Sequence, residues 1–229
     1  MNACRPSLSI VLPVLNEASG IASTLDALRP LAAEIIVVDG GSDDETPAIA
    51  LGLAYQVITA PRGRARQMNA GAAAASGEIL LFLHADTLLP AGADQCIIAA
   101  VATGADWGRF DVRISGDSLW LPLIAALMNR RSRLTGIATG DQAIFVRREI
   151  FAAVGGFPVQ PLMEDIELSC RLKAQSRPAC LRERVLTSGR RWEKHGVLRT
   201  VLLMWSLRLR YFFGADPQTL ARAYGYAGD

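Results

Sequence analysis

The first hundred positions alternate between unbroken apolar runs and stretches of helical spacing. Residues 8–15 read LSIVLPVL, 34–39 read EIIVVD and 78–83 read EILLFL. Short continuous runs of this kind are the pattern of strands buried on both faces. Between them, residues 18–31 place Ile21, Leu25 and Leu28 on one helical face and stop at Pro30. Residues 46–53 predict a second helix with Pro47 in its first turn, and 66–76 an Ala-rich helix closed by Gly77. A short strand is expected at 55–59. Strands alternating with helices predict an α/β fold: a Rossmann-like, mostly parallel sheet flanked by helices and joined by right-handed crossovers.

The second half is less regular. Trp107–Ile114 reads as a strand with alternating charged positions. Residues 119–129 predict an apolar helix broken by Pro122. A strand at 143–146, a short helix at 149–154, an amphipathic helix at 164–174 and a long C-terminal helix at 197–213 follow. With no repeat and no linker, the expectation is one domain over 1–229, with halves 1–114 and 115–229.

Composition narrows the class. The chain has 229 residues, 51% hydrophobic and 20% charged, with a net charge of +2. That excludes disorder, coiled coil and collagen, and argues against a nucleic-acid partner. The near-neutral total hides a division. Residues 1–114 hold seven Arg and no Lys against twelve acids, a net of −5; residues 115–229 hold 15 Arg and two Lys against ten acids, a net of +7. Two readings fit: a cation site facing an anion or lipid surface, or a general bias towards Arg. Cys4, Cys96, Cys170 and Cys180 have neither metal nor redox spacing, so a reduced, cytoplasmic chain is expected. Residues 8–15 are too short for a signal peptide.

Chemistry gathers where the strands end. After the first run comes Asn16-Glu17, after the second Asp39-Gly40-Gly41-Ser42-Asp43-Asp44, and after the third His84-Ala85-Asp86. Helix capping accounts for one of Asp43 and Asp44. Polar ends in register on one sheet edge make a site, because ligands of such sheets bind at the carboxyl ends of the strands.

The motifs PVLNE, VVDGGSDDET, LHAD, GDQAIF, GGFP, MEDIEL and RRW then follow one another in the order seen in family 2 inverting glycosyltransferases. The chain resembles that family from Ser9 to about Gly214, and most resembles its small single-domain bacterial members. The resemblance implies a GT-A fold with a nucleotide-sugar-binding half, an acceptor half and a C-terminal helical segment. It implies transfer of a sugar from a UDP- or GDP-sugar donor to an acceptor hydroxyl. Pro13, Asn16, Glu17, Asp39, Gly40 and Ser42 would meet base and ribose. The family's DxD motif, which binds Mn²⁺ or Mg²⁺, is His84-Ala85-Asp86 here, leaving Asp86 as metal ligand and Ala85 beside the nucleotide. His84 reads either as a further ligand or as a strand cap.

The ED pair Glu164-Asp165 carries over as the catalytic element, with Asp165 the general base. Asp141 would contact donor sugar or acceptor. Arg66 and Asn69, opening the Ala-rich helix, are candidate donor contacts, as are Arg191 and Trp192 of the RRW motif. His195 reads as a third metal ligand or as a surface residue. On the long helix, Val197, Val201, Trp205, Leu209 and Phe212 form one stripe, with Arg199, Arg208 and Arg210 off it. That stripe either packs on the domain or lies peripherally on the inner face of a membrane, where the acceptor would be lipid-linked.

Two other classes compete. A sugar nucleotidyltransferase would carry a GxGxR loop after the first strand and a Lys in the second half, whereas this chain has Asn16-Glu17 and only Lys173 and Lys194. A non-catalytic nucleotide-sugar-binding protein at a membrane surface would accommodate the His84 departure. A Rossmann oxidoreductase is excluded because no GxGxxG follows the first strand.

Overall fold

The computed structural model describes residues 7–226. The first half builds β1 (Leu8–Val14), α1 (Ile21–Leu28), β2 (Ala33–Asp39), α2 (Thr46–Leu51), β3 (Gln56–Thr59), α3 (Arg64–Ala74), β4 (Ile79–Phe82), β5 (Thr87–Leu88), α4 (Ala93–Ala102) and β6 (Trp107–Ile114). The second half adds α5 (Leu121–Thr135), β7 (Ile144–Arg147), α6 (Arg148–Ala153), α7 (Glu164–Gln175), β8 (Ala179–Thr187), α8 (Arg190–His195), α9 (Val197–Phe212) and α10 (Pro217–Tyr224). They form one eight-stranded sheet in the order β3-β2-β1-β4-β7-β6-β8-β5. The β3-β2-β1-β4 block and the β6-β8 pair are parallel, while β7 runs antiparallel to both its neighbours and β5 antiparallel to β8.

Parallel pairing sets the site. Val14 lies opposite Asp39, and Asp39 opposite Thr59, so the strand ends of the first half share one edge. Two apolar clusters cover the sheet faces, one beneath α1 and α4 and one beneath α3 and α6. Helix α3 comes close because of Gly71: a Cβ there would stand 2.4 Å from Val11 Cγ1 and 2.9 Å from Val38 Cγ2. The approach lets the buried Gln67 amide donate to the carbonyls of Val14 and Val38, 2.8 Å each. These are the last turns of β1 and β2 before the site, and one side chain fixes both.

Some expectations are corrected. Pro122 does not break its helix: it sits in the first turn of α5, where a missing N–H costs nothing, and the helix runs on to Thr135. Of the alternating charged positions of β6, Arg109 and Asp111 are buried and Arg113 is exposed. Arg109 is fully buried, pairs with Asp111, and binds Ser132 Oγ at 3.0 Å and the Asn129 carbonyl at 3.2 Å. Arg133 closes on the other Asp111 oxygen at 2.6 Å. An ion network of this kind, satisfied on every side, locks α5 onto β6. Elements β5, α4, β8, α8 and α10 had no local signature. Cys96, Cys170 and Cys180 are unpaired, and Cys4 lies outside the described residues.

Candidate active site

The strand ends, α5, the start of α7 and the C-terminal helices surround one cleft of about 1870 Å³. Nucleotide-sized ligands fill pockets of roughly 300–1,000 Å³, so this volume accommodates two substrates. Pro13, Glu17, Arg66, His84, Ala85, Asp86, Asp141, Glu164, Asp165, Arg191 and Trp192 all line it. The tertiary structure thus brings together most of the residues singled out in the sequence.

The first wall is the loop pair after β1 and β2. Asn16 adopts a left-handed φ of 54°, and its Oδ1 accepts from the Asp43 N–H at 2.9 Å. Its own N–H donates to Ser42 Oγ at 2.9 Å. The buried Asp39 accepts from Gly41 N–H at 2.9 Å and from Ser42 Oγ at 2.5 Å. Gly40 lies under Gln67, where a Cβ would fall 2.9 Å from the amide nitrogen. Asn16, Asp39, Gly40 and Ser42 therefore build the loop and do not line the cleft. Neither Asp43 nor Asp44 is the N-cap of α2, which is Glu45; Asp44 instead accepts from Thr46 N–H at 3.0 Å and from Ala18 N–H at 3.1 Å, tying the two loops together.

Glu17 and Asp86 are the acids the cleft receives from the first half. Arg190 stands 3.9 Å from each. Burial raises the Glu17 pKa, and the charges of Asp86 and Asp44 act the same way, against Arg190 and Arg64. The Ala85 carbonyl between them is held by Thr24 Oγ1 at 2.7 Å.

The opposite wall is the turn at Gly140–Gln142 with the start of α7. Gln142 is buried and closes a capping box with Thr139. The turn presents Asp141, whose Oδ1 lies 3.5 Å from His84 Nδ1. The imidazole rests on Gly140, where a Cβ would fall 2.4 Å from Nε2. Burial works against the Asp141 carboxylate, but the His84 contact and the charges of Arg64 and Arg208 outweigh it and lower its pKa. Gly140 N–H also donates to Asp165 Oδ2 at 2.8 Å, while Asp165 Oδ1 accepts from Ile166 N–H at 2.7 Å. Each Asp165 oxygen keeps a lone pair for the cleft. Glu164 beside it is buried, and burial followed by the Asp165 charge raises its pKa. Met163, before them, has a left-handed φ of 67°, a costly conformation for a side chain with a Cβ and one concentrated at functional turns.

Three candidates are engaged by their own surroundings, Asn69 away from the cleft and Arg66 and Arg191 while lining it. The Asn69 amide both donates to and accepts from the Phe157 backbone, at 2.8 and 2.9 Å, and ties α3 to the loop before α7. Arg191 stacks 3.6 Å over the Tyr224 ring and donates to the Tyr224 carbonyl at 3.0 Å, joining α8 to α10. Arg66 is exposed and its guanidinium bonds the Arg62 carbonyl at 3.3 Å. The imidazole of His195 lies outside the described residues.

The cleft also holds Arg131, which the sequence did not single out, together with Arg64 of the basic run before the Ala-rich helix, Arg190 of the RRW motif and Arg208 of the long helix. Arg64 is exposed at the cleft, and Tyr226, Glu164, Tyr224 and Asp141 around it raise its pKa above the ordinary value. Arg131 and Arg208 lie 77 positions apart on helices and leave no local pattern.

Among the described residues, no three carboxylate, imidazole or thiolate groups converge as a preformed metal centre. The chain offers a hard cation the open Asp86 carboxylate. Such a cation keeps several waters and completes its shell with substrate phosphates, so a single carboxylate fits that mode of binding.

Comparison with known proteins identifies the family and the fold. The family model described as glycosyl transferase family 2 matches residues 9–155. The succinoglycan biosynthesis protein ExoA of Rhizobium meliloti is 31% identical over 188 residues, 71% of this chain and 57% of that one. An uncharacterized glycosyltransferase of Mycobacterium tuberculosis is 34% identical over 101 residues, 44% of this chain and 46% of that one. The chain thus spans less than two thirds of these relatives. Among solved structures, a Pyrobaculum calidifontis mannosyltransferase in complex with GDP-Man and Mn²⁺ superposes with a TM-score of 0.64 at 21% identity, over 98% of this chain and 70% of that one. Glucosyl-3-phosphoglycerate synthase of Mycobacterium tuberculosis, with Mn²⁺, UDP and its product, gives 0.59 at 23% identity, over 78% and 70%.

Proposed function

The chain belongs to glycosyl transferase family 2, and we propose that it transfers a sugar from a UDP- or GDP-sugar to an acceptor hydroxyl with inversion. The observation that carries this reading is the shape of the cleft. The open acids of the first half, Glu17 and Asp86, face Asp165 and Asp141 across a space large enough for donor and acceptor. Glu17, positioned by the loop that Ser42 and Asp39 hold together, binds base and ribose. Arg190 and Arg64 meet the diphosphate. A divalent metal, Mn²⁺ or Mg²⁺, held by Asp86 would neutralise the charge developing on the leaving nucleoside diphosphate.

Asp165 is the general base. Backbone N–H groups from Gly140 and Ile166 orient its carboxylate, and no side-chain cation is within salt-bridge reach of it among the described residues. It takes the acceptor proton as the hydroxyl attacks the anomeric carbon from the face opposite the leaving group. Glu164, with its raised pKa, stays behind it as a positioning residue. Asp141, fixed by His84, reaches the donor sugar.

The acceptor side is apolar. Leu127 on α5, and Trp205, Leu209 and Phe212 on α9, are exposed at 51–81% together with Leu123 and Leu202. Arg130, Arg199 and Arg210 are exposed near them. This amphipathic rim supports peripheral contact with an anionic membrane and a lipid-linked acceptor. No described helix is long and apolar enough to cross a membrane.

The test is a thermal-shift screen of UDP-, GDP- and dTDP-sugars, each with and without Mn²⁺. A metal-dependent rise with one nucleotide is expected. No shift with any of them would remove the donor-site assignment.

A further inference from the structure

Two guanidinium groups at the back of the cleft lack partners. Arg131 projects from α5 and Arg208 from α9, and both line the cleft. Arg131 Nε and Nη2 and Arg208 Nε are buried yet find no hydrogen-bond acceptor among the described residues. Neither guanidinium lies within 4.0 Å of a carboxylate there. Burying an N–H without an acceptor costs on the order of 1–3 kcal/mol, more for a charged group. Two such cations side by side add repulsion. The pKa of Arg131 is pushed down to about 10, by burial and then by the charge of Arg208. Burial lowers that of Arg208 as well. A fold that holds this arrangement is built around a counter-charge.

The pair also has a definite place. Both guanidiniums feel the Asp165 charge, whereas the charges acting on Glu17 are Arg190, Asp86, Asp44 and Arg64. Arg208 also faces Asp141, on which Arg64 acts as well, so the pair borders the donor wall and stands beside the base.

We propose that Arg131 and Arg208 form an anion subsite on the acceptor side of Asp165 that holds a phosphate group carried by the acceptor. The proposal rests on the reading of Asp165 as base. A phosphate monoester carries roughly −1.5 to −2 charge and three acceptor oxygens, enough for two guanidiniums and their free N–H groups. Held there, it places the neighbouring hydroxyl at the Asp165 carboxylate. The phosphate has two sources of the same chemistry, a soluble phosphorylated acceptor or a lipid phosphate whose chain lies along Leu127, Trp205 and Leu209.

The experiment is calorimetric titration of the full chain with inorganic phosphate, butyl phosphate and octyl phosphate (the last below its micelle concentration). It is run with and without saturating UDP or GDP and Mg²⁺. Phosphate is expected to bind whether or not the nucleotide is present. Arg131→Gln and Arg208→Gln should each weaken it at least tenfold and change nucleotide affinity less than twofold. Arg131→Lys should retain part of the phosphate affinity. Without phosphate, the Gln variants should melt no lower than the parent, because they remove an unpartnered buried charge. A variant that melts lower and binds phosphate normally would make the arginines structural and overturn the proposal. Mutual exclusion of phosphate and nucleotide would also overturn it, by assigning the arginines to the donor diphosphate. Tenfold tighter binding of octyl over butyl phosphate identifies the lipid source, and equal binding the soluble one. Failure of every nucleotide to bind would count against the donor reading alone, since the phosphate titration is read separately.

Discussion

At Asp165 and Gly140 a few ångströms separate a structural from a chemical role. Asp165→Asn keeps the hydrogen-bonding shape but supplies no basic oxygen. Transfer should fall by about 10²–10⁴-fold with nucleotide affinity nearly unchanged, measured by product formation and by titration. Gly140→Ala acts through space: the new Cβ would overlap the His84 ring at 2.4 Å. The imidazole must swing away and release Asp141, so kcat should drop at least tenfold while the circular dichroism spectrum is kept. Unchanged turnover in either variant would remove the corresponding role. The motif positions were all legible residue by residue. What each side chain touches was not: Asn69 carries a motif-like signal yet binds Phe157 outside the cleft, whereas Arg191 lines the cleft while it holds Tyr224.

Between elements, the decisive contacts are those that align strand ends. Gly71→Ala gains about 1 kcal/mol of helix propensity but forces a methyl against Val11 and Val38. Overpacking of that kind costs about 1–3 kcal/mol, so a net loss and a fall in Tm of roughly 2–4 °C are expected by calorimetry. Glu34 joins β2 to β1 and to the end of α3, accepting from Ser9 Oγ at 2.5 Å and from Ser76 N–H at 2.8 Å. Burial is the largest single influence and raises its pKa, but the hydrogen bonds from Ser9, Ser76 and Gly77 together outweigh it and lower it. A carboxylate with a depressed folded pKa stabilises above its unfolded pKa and loses that contribution as pH falls through the folded value. The parent should therefore lose stability in mild acid more steeply than Glu34→Gln in denaturant titrations at matched pH. The strands and helices of the first half were readable from periodicity because each is a short, uniform run. An element such as β8 was not, since it is matched to β5 and β6, partners far along the chain.

For the molecule as a whole, the distribution of charge and apolar surface gains a shape. One face of α9 packs inward through Leu203, Leu207 and Tyr211 against Leu162, Met163 and Leu220. The stripe of Val201, Trp205, Leu209 and Phe212 turns instead to the cleft. Trp205→Glu combined with Phe212→Glu should abolish flotation with vesicles rich in anionic lipid, and high salt should weaken the flotation of the parent. Flotation by the double variant equal to the parent would remove the membrane contact. The charge division of the two halves is not kept at the cavity, where the first half brings Arg62, Arg64 and Arg66 as well as Glu17 and Asp86, and the second half Asp141, Glu164 and Asp165 among its arginines.

The α/β fold, the strand-end chemistry and the family were determined by the sequence alone, because they rest on local periodicity and on motifs whose order survives without coordinates. Only the tertiary structure decided which motif residues line the cleft and which build its walls. It also decided that Arg131 and Arg208, far apart in the chain, stand together with unpartnered N–H groups. The physical reason is the same in both cases: hydrogen-bond partners and burial depend on distance and direction between elements, and those are set by packing.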